Sequence, residues 1–143
     1  MQVNEVMTRD VECIVPDATL KEAAAKMKSL GAGSLPVCDD DRLVGMLTDR
    51  DITIRATASG NDPTGVRVRD VMTREVIHCF VDQNVDEAAK LMQEKQVRRL
   101  VVLDRDKRLV GIVSLGDLAV ETRDEQLAGA TLEAVSEPNR PNT

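Results

Sequence analysis

Leu43-Val44-Gly45-Met46-Leu47-Thr48-Asp49-Arg50-Asp51-Ile52 returns near the other end of the chain as Leu109-Val110-Gly111-Ile112-Val113-Ser114-Leu115-Gly116-Asp117-Leu118. Both copies share one grammar: an apolar run with a glycine reads as a buried strand, a hydroxyl residue ends it, and an aspartate follows three positions later at a helix start. Two chemistries fit that spacing. Thr48 with Asp51, and Ser114 with Asp117, can close N-terminal caps, the hydroxyl capping and the acid sitting in the positive first turn. They can equally hold a nucleoside, because a carboxylate accepts two hydrogen bonds from vicinal ribose hydroxyls and a hydroxyl beside helix amides suits a phosphate or sugar oxygen.

Working outward, the repetition covers most of the chain. Met7-Thr8-Arg9-Asp10-Val11 is matched by Met72-Thr73-Arg74-Glu75-Val76, an offset of 65 residues that also aligns Glu22-Ala23-Ala24 with Glu87-Ala88-Ala89 and Met27 with Met92. One extra residue in the second turn then sets Leu43 opposite Leu109. The chain is an internal duplication. In each copy a Val/Ile-rich run (Val11 to Val15, Val76 to Val81) predicts a short strand. Thr19-x-x-Glu22 and Asn84-x-x-Glu87 announce helices whose apolar stripes are narrow and rich in alanine, so they should lie close against a sheet. Ser34 to Cys38 and Arg99 to Leu103 read as strands that turn through Asp39 to Arg42 and Asp104 to Arg108 into the glycine-bearing strands. A second helix follows each aspartate, the later one reaching about Glu121 to Arg123. The reading is an α+β fold, sandwich-like, of two β-α-β-β-α repeats: residues 1–60, a linker 61–66, residues 67–123, and a tail 124–143 that is partly disordered. In the tail, Leu127 to Val135 can form a helix that packs on the module or on a second copy of it, alternatives the sequence leaves open.

Composition narrows the chemistry. With 143 residues, 42% of them hydrophobic, the chain can bury a core without disulfides or metal. One Phe and neither Trp nor Tyr leave the core to Val, Leu, Ile, Ala and Met. A net charge of −6 and a pI near 4.8, with no aromatic platforms, argue against nucleic acid. No run of about 18 apolar residues indicates a membrane span and no leader pattern opens the chain, so a cytoplasmic location is expected. Cys13, Cys38 and Cys79 read as small core hydrophobes, and neither they nor His78 show metal-binding spacing, so no metal is expected.

A β-α-β-β-α unit present twice, with Met-Thr near each start and Gly-h-h-[Thr/Ser]-x-x-Asp (h apolar) near each end, resembles the cystathionine β-synthase (CBS) domain, and the pair resembles a Bateman module over roughly residues 3–123. The resemblance implies two domains about a pseudo-two-fold axis, with clefts that bind adenosine-containing ligands. It implies no cofactor, and a ligand that is an adenine nucleotide (AMP, ADP or ATP) ahead of S-adenosylmethionine or NAD(H). Carried over by position, Asp51 and Asp117 are ribose acceptors, and Thr48 and Ser114 are phosphate- or ribose-side hydroxyls. Arg98-Arg99 resembles the basic pair that reaches nucleotide phosphates in the regulatory subunit of AMP-activated protein kinase, where it serves the cleft holding the aspartate of the partner repeat. By that analogy Arg98 and Arg99 face the ligand of Thr48 and Asp51. Gly33-Ser34 stand at the matching positions in the first repeat, so the two clefts are unequal. The Thr48/Asp51 cleft should favour a phosphorylated ligand, Ser34 being the first repeat's remaining polar contact.

The function expected is a regulatory module, not an enzyme: it senses a nucleotide, signals to an unidentified protein target, and associates as a homodimer, as free modules of this family usually do, often as a disc of four repeats. The rival is a ligand-free dimerising scaffold in which both aspartates only cap helices. Catalysis ranks last, since the single histidine and the cysteines lack supporting bases at an evident spacing.

Overall fold

The computed structural model describes residues 1–138; the expected disorder of the last residues, Asn139 onward, lies outside the described residues. In the first repeat α1 (Leu20–Leu30) begins where Thr19 Oγ1 accepts from the Glu22 amide and stops at Gly31, in the left-handed region at φ 65°. β1 (Ser34–Asp39) and β2 (Arg42–Thr48) form an antiparallel hairpin, Ser34 opposite Thr48, with a bulge at Val37/Cys38. A single turn, α2 (Asp49–Asp51), continues as a π-helix over Ile52–Thr57. After the linker come α3 (Val68–Val71), β3 (His78–Phe80), α4 (Val85–Lys95), β4 (Arg99–Leu103), β5 (Leu109–Ser114), α5 (Leu115–Thr122) and α6 (Glu125–Ser136). A 3₁₀ turn, Val3–Glu5, precedes them all. The order β-α-β-β-α holds in the second repeat as β3-α4-β4-β5-α5, the first repeat follows it without the opening strand, and the sheets are small: β1-β2 and β3-β4-β5.

Three expectations are corrected. The strand over Val11 to Val15 shrinks to one parallel bridge, Ile14 to Val37. Asp10 turns the backbone at φ 57° and Pro16 has no amide to donate, so only Ile14 fits the ladder. Its counterpart survives as β3, where the equivalent pair Cys79–Val102 lies in a parallel register with β4. Second, the helix after Asp51 is a π-helix, whereas α5 is regular. The run Ile52-Thr53-Ile54 is β-branched at every position, which crowds the preceding turn, and Leu118-Ala119-Val120 relaxes it. Third, Ser136, expected in the disordered end, closes α6.

The chain forms two compact units that cut across the repeats. One comprises Met1–Val11, Ile77–Asp106 and the chain from Val110; the other comprises Glu12–Val76 with Lys107–Leu109. Each repeat's opening segment is therefore packed in the unit of the other repeat's helices and strands. In unit 1, Val3, Val6 and Met7 join Val85, Ala89, Met92 and Val113 in the core. In unit 2, the equivalent Val68, Val71 and Met72 join Leu20, Ala23, Met27 and Leu47. Backbone hydrogen bonds fix each exchange: Val3 N donates to Gln83 O at 2.8 Å in unit 1, and Val68 N to Ala18 O at 2.8 Å in unit 2.

This exchange explains the glycine of the repeated stretch. Thr8 pairs antiparallel with Ile112, and Thr73 with Met46. A Cβ on Gly111 would lie 2.7 Å from Met7 Sδ and 2.8 Å from Thr8 O, and one on Gly45 would lie 2.6 Å from Met72 Sδ and 2.9 Å from Thr73 O. The Met-Thr and Leu-Val-Gly motifs are two sides of one contact.

α6 resolves the alternative left open for the tail: it packs on unit 1 itself. Asp124 caps it by accepting from the Leu127 amide at 3.0 Å. Leu127 and Val135 pack on the core. Between them Thr131 is fully buried, its hydroxyl donating to Leu127 O at 2.7 Å and accepting from Gln93 Nε2 of α4 at 3.0 Å.

Candidate functional site

Both hydroxyl–aspartate pairs close reciprocal caps. In unit 2 the Asp51 amide donates to Thr48 Oγ1 and the Thr48 amide to Asp51 Oδ2, each at 3.0 Å. In unit 1 the Asp117 amide donates to Ser114 Oγ at 3.0 Å, and the Ser114 amide donates to Asp117 Oδ2 at 2.9 Å. The cap consumes one oxygen of each carboxylate. Asp51 Oδ1 lies 3.8 Å from Arg55 Nε. Asp117 Oδ1 accepts no hydrogen bond among the described residues. Each hydroxyl still has its own proton to donate. Capping and ligand contact are therefore compatible, because the cap holds the aspartate in a fixed rotamer with one oxygen to spare.

In unit 1 the end of β5 lies beside the start of β4, with the Leu115 amide donating to Arg98 O at 2.9 Å. That contact brings Arg98, Arg99 and Ser114 to one cleft of about 510 Å³. Its floor and far wall are apolar: Leu115 and Ala119 from α5, and Ala128, Gly129 and Leu132 from α6. Both arginines are exposed. Arg98 Nη2 reaches Ser136 Oγ at 3.4 Å, while Arg99 makes no side-chain hydrogen bond or ion pair among the described residues. The cleft is thus an apolar trough with two permanent cations and a hydroxyl at one end, a fit for an anion carried on a flat or apolar body. Sequence reasoning singled out the arginines and the serine but not the α6 wall. The small pair Ala128-Gly129 was the signal for a close helix approach, and nothing local said against which helices.

Thr48, Asp51 and Ser34 belong to unit 2, Arg98, Arg99, Ser114 and Asp117 to unit 1. Ser34 pairs with Thr48 across the hairpin. Gly33, at the position of Arg98, faces a carboxylate: its Cβ would lie 3.2 Å from Asp49 Oδ2. Asp49 occupies the place of Leu115. The first repeat therefore lacks the cations and presents an acid instead, so the two repeats differ in sign where they would meet an anion.

The cysteines sit as the sequence suggests for Cys38 and Cys79, which are buried, while Cys13 is half-buried. Burial pushes the Cys79 thiol up to about 12. Burial, reinforced by the neighbouring Cys13 and by Asp41, does the same to Cys38, also to about 12. Neither is a thiolate at neutral pH. Among the described residues no three His, Cys, Asp or Glu side chains converge on a point that could hold a metal, and no helix is long and apolar enough to cross a membrane.

The family model described as "CBS domain" matches residues 3–56 and again 68–123. The chain belongs to the CBS domain family. It is 41% identical over 137 residues, 96% of each chain, to the CBS domain-containing protein YhcV of Bacillus subtilis. Among solved structures it is similar to Hypoxic Response Protein I, solved with two coordinated zinc ions, at 38% identity and TM-score 0.75, covering 83% of this chain and 97% of that one. It is also similar to CBSX2 in complex with AMP (25% identity, TM-score 0.73) and to a CBS domain pair in complex with 5′-methylthioadenosine and S-adenosyl-L-methionine (26%, 0.74), each covering 87% of this chain and 98% of the other. The tandem pair inferred from the duplication is the fold of these relatives, and CBS pairs are regulatory modules.

Proposed function

We propose that this CBS pair is a non-catalytic regulatory module that binds an adenine nucleotide and signals its occupancy to a partner protein. The observation that carries the reading is the unit 1 cleft, where Arg98 and Arg99 stand at one end of an apolar trough with the Ser114 hydroxyl beside them. Guanidinium forks bind phosphate bidentately, the hydroxyl donates to a phosphate or ribose oxygen, and Leu115, Ala119 and Leu132 accept the flat face of a base. Asp117, with its second oxygen unengaged among the described residues, is a further ligand contact of unit 1, and Thr48, Asp51 and Ser34 are the contacts that the first repeat would offer in unit 2. AMP, ADP or ATP fits better than S-adenosylmethionine, whose sulfonium cation gains nothing from two arginines. The AMP complex of CBSX2 supports the nucleotide class. Signalling needs only that the nucleotide prefer one conformation of the module.

Calorimetry of the full chain with AMP, ADP and ATP tests this. Arg98→Ala with Arg99→Ala should weaken AMP binding at least tenfold, since hydrogen bonds to charged groups contribute about 1.5–3 kcal/mol each. Comparing Asp51→Asn with Asp117→Asn then tells which repeat's aspartate shares the ligand with the arginines. The second reading, a scaffold with no ligand, is favoured by the closed caps at both aspartates. It predicts no heat with any nucleotide and no stabilisation at millimolar AMP, whereas a ligand at a hundredfold excess over Kd stabilises by about 2.7 kcal/mol.

A further inference from the structure

One wall of the unit 1 cleft is not built from the repeat at all. Arg98, Arg99, Ser114 and Leu115 come from the start of β4 and the junction of β5 with α5, but Ala128, Gly129 and Leu132 face them from α6, beyond residue 123 where the family match ends. Gly129 lies in the interior of that helix, where glycine is less favourable than alanine. A Cβ on it would meet nothing within 4 Å, so no close packing demands a glycine there. What the missing side chain leaves free is room in the cleft.

Three polar side chains from one stretch of the chain hold α6 in this position. Gln93 Nε2 donates to the buried Thr131 Oγ1 at 3.0 Å. Gln96 Nε2 donates to Ala134 O and to Glu137 O, each at 3.3 Å, and so partners carbonyls that the end of a helix leaves open. Arg98 Nη2 donates to Ser136 Oγ at 3.4 Å. The matching positions of repeat 1 are Lys28, Gly31 and Gly33, which carry neither a side-chain amide nor a guanidinium. Gln96 shows that the grip is selected at a cost: it closes α4 in the left-handed region at φ 53°, where Gly31 closes α1 at φ 65°. That backbone favours glycine, and the hold on α6 is what a glutamine adds. Arg98 belongs to this clamp and to the cleft at once.

We propose that α6 is the responsive element of the cleft: a phosphorylated ligand closes against its wall, ligand and docked helix stabilise one another, and occupancy is expressed as the tightness with which α6 is held. Gly129 sets how large a ligand body that wall admits. The inference rests on the nucleotide reading of the cleft and adds to it the element that moves. Linkage makes the coupling reciprocal, so whatever loosens α6 weakens the ligand, and the ligand in turn protects α6 from opening.

Amide hydrogen exchange and calorimetry on the full chain with AMP test it. At a hundredfold excess of AMP over Kd the amides of α6 should exchange roughly tenfold or more slowly, with a smaller change in α1 of the other unit. Gln96→Gly keeps the left-handed turn and removes only the grip, so α6 should exchange faster and AMP should bind roughly fivefold or more weakly. Gly129→Leu fills the cleft without touching the clamp. There α6 should exchange no faster than in the wild type while AMP affinity falls roughly tenfold or more, which separates an occupied wall from a loosened helix. No heat with AMP in the wild type would overturn the nucleotide reading and this inference with it. AMP binding that leaves α6 exchange unchanged, a Gln96→Gly chain that binds AMP as tightly as the wild type, or a Gly129→Leu chain that does so, would overturn this inference alone.

Discussion

Gly111→Ala isolates the contact on which unit 1 depends. The added Cβ would meet Met7 Sδ at 2.7 Å and Thr8 O at 2.8 Å, whereas ordinary contact begins at 3.4 Å. The thioether can swing aside, but the carbonyl belongs to a backbone that Ile112 holds from both directions, Thr8 N to Ile112 O at 2.8 Å and Ile112 N to Thr8 O at 3.0 Å. Moving Thr8 O back by the missing distance, about 0.6 Å, stretches the second bond past hydrogen-bonding range. Overpacking costs about 1–3 kcal/mol and a lost hydrogen bond about 0.5–1.5 kcal/mol, so the substitution should destabilise by about 2–4 kcal/mol. Urea unfolding followed by circular dichroism should show the midpoint falling by about 1–2 M. Gly116→Ala is the control, its Cβ meeting nothing nearer than Ser114 Oγ at 3.6 Å, and it should stabilise α5 by up to about 1 kcal/mol. Adding Met7→Ala to Gly111→Ala should recover only the side-chain part of the loss. A Gly111→Ala midpoint within about 0.2 M of wild type, or full recovery in the double variant, would refute the claim that backbone approach requires the glycine.

Ser114→Ala and Thr48→Ala each remove a cap acceptor and should cost about 0.5–2 kcal/mol by the same assay; a cost near zero would mean that the hydroxyls do not hold the helix starts. Thr131→Val keeps the shape of a fully buried side chain but strands Gln93 Nε2, while Leu127 O keeps its helical backbone bond, so α6 should lose about 1–3 kcal/mol, read as faster hydrogen exchange confined to α6 and its neighbours on α4. The raised thiol of Cys79 is a folded-state value above the unfolded one, so its contribution to stability is whole below about pH 9 and is lost as the pH rises toward 12. Cys79→Ala should flatten that alkaline decline, and an unchanged alkaline profile would count against burial as its cause. Alkylation at pH 8 should label the half-buried Cys13 well before Cys38 or Cys79.

The residues whose neighbours in sequence are also their neighbours in space were legible from the chain alone. Thr19 and Asn84 announce helices because a cap is closed within three residues. Thr48 with Asp51 and Ser114 with Asp117 were recognisable as cap or ligand groups for the same reason, and the duplication declared the tandem family fold. Where local crowding competes with periodicity, as in the β-branched run Ile52-Thr53-Ile54, the sequence named a helix but not its π geometry.

What depended on distant partners was decided only by the tertiary structure. That Met7-Thr8 packs on Gly111 of the other repeat, and Met72-Thr73 on Gly45, could not be read from either motif, because hydrophobic burial has no direction along the chain and either repeat offers the same apolar strand. The same holds for α6. Its apolar spacing promised a helix, but covering repeat 2 while repeat 1 stays open follows from where the chain ends up after α5, a matter of connection and not of composition.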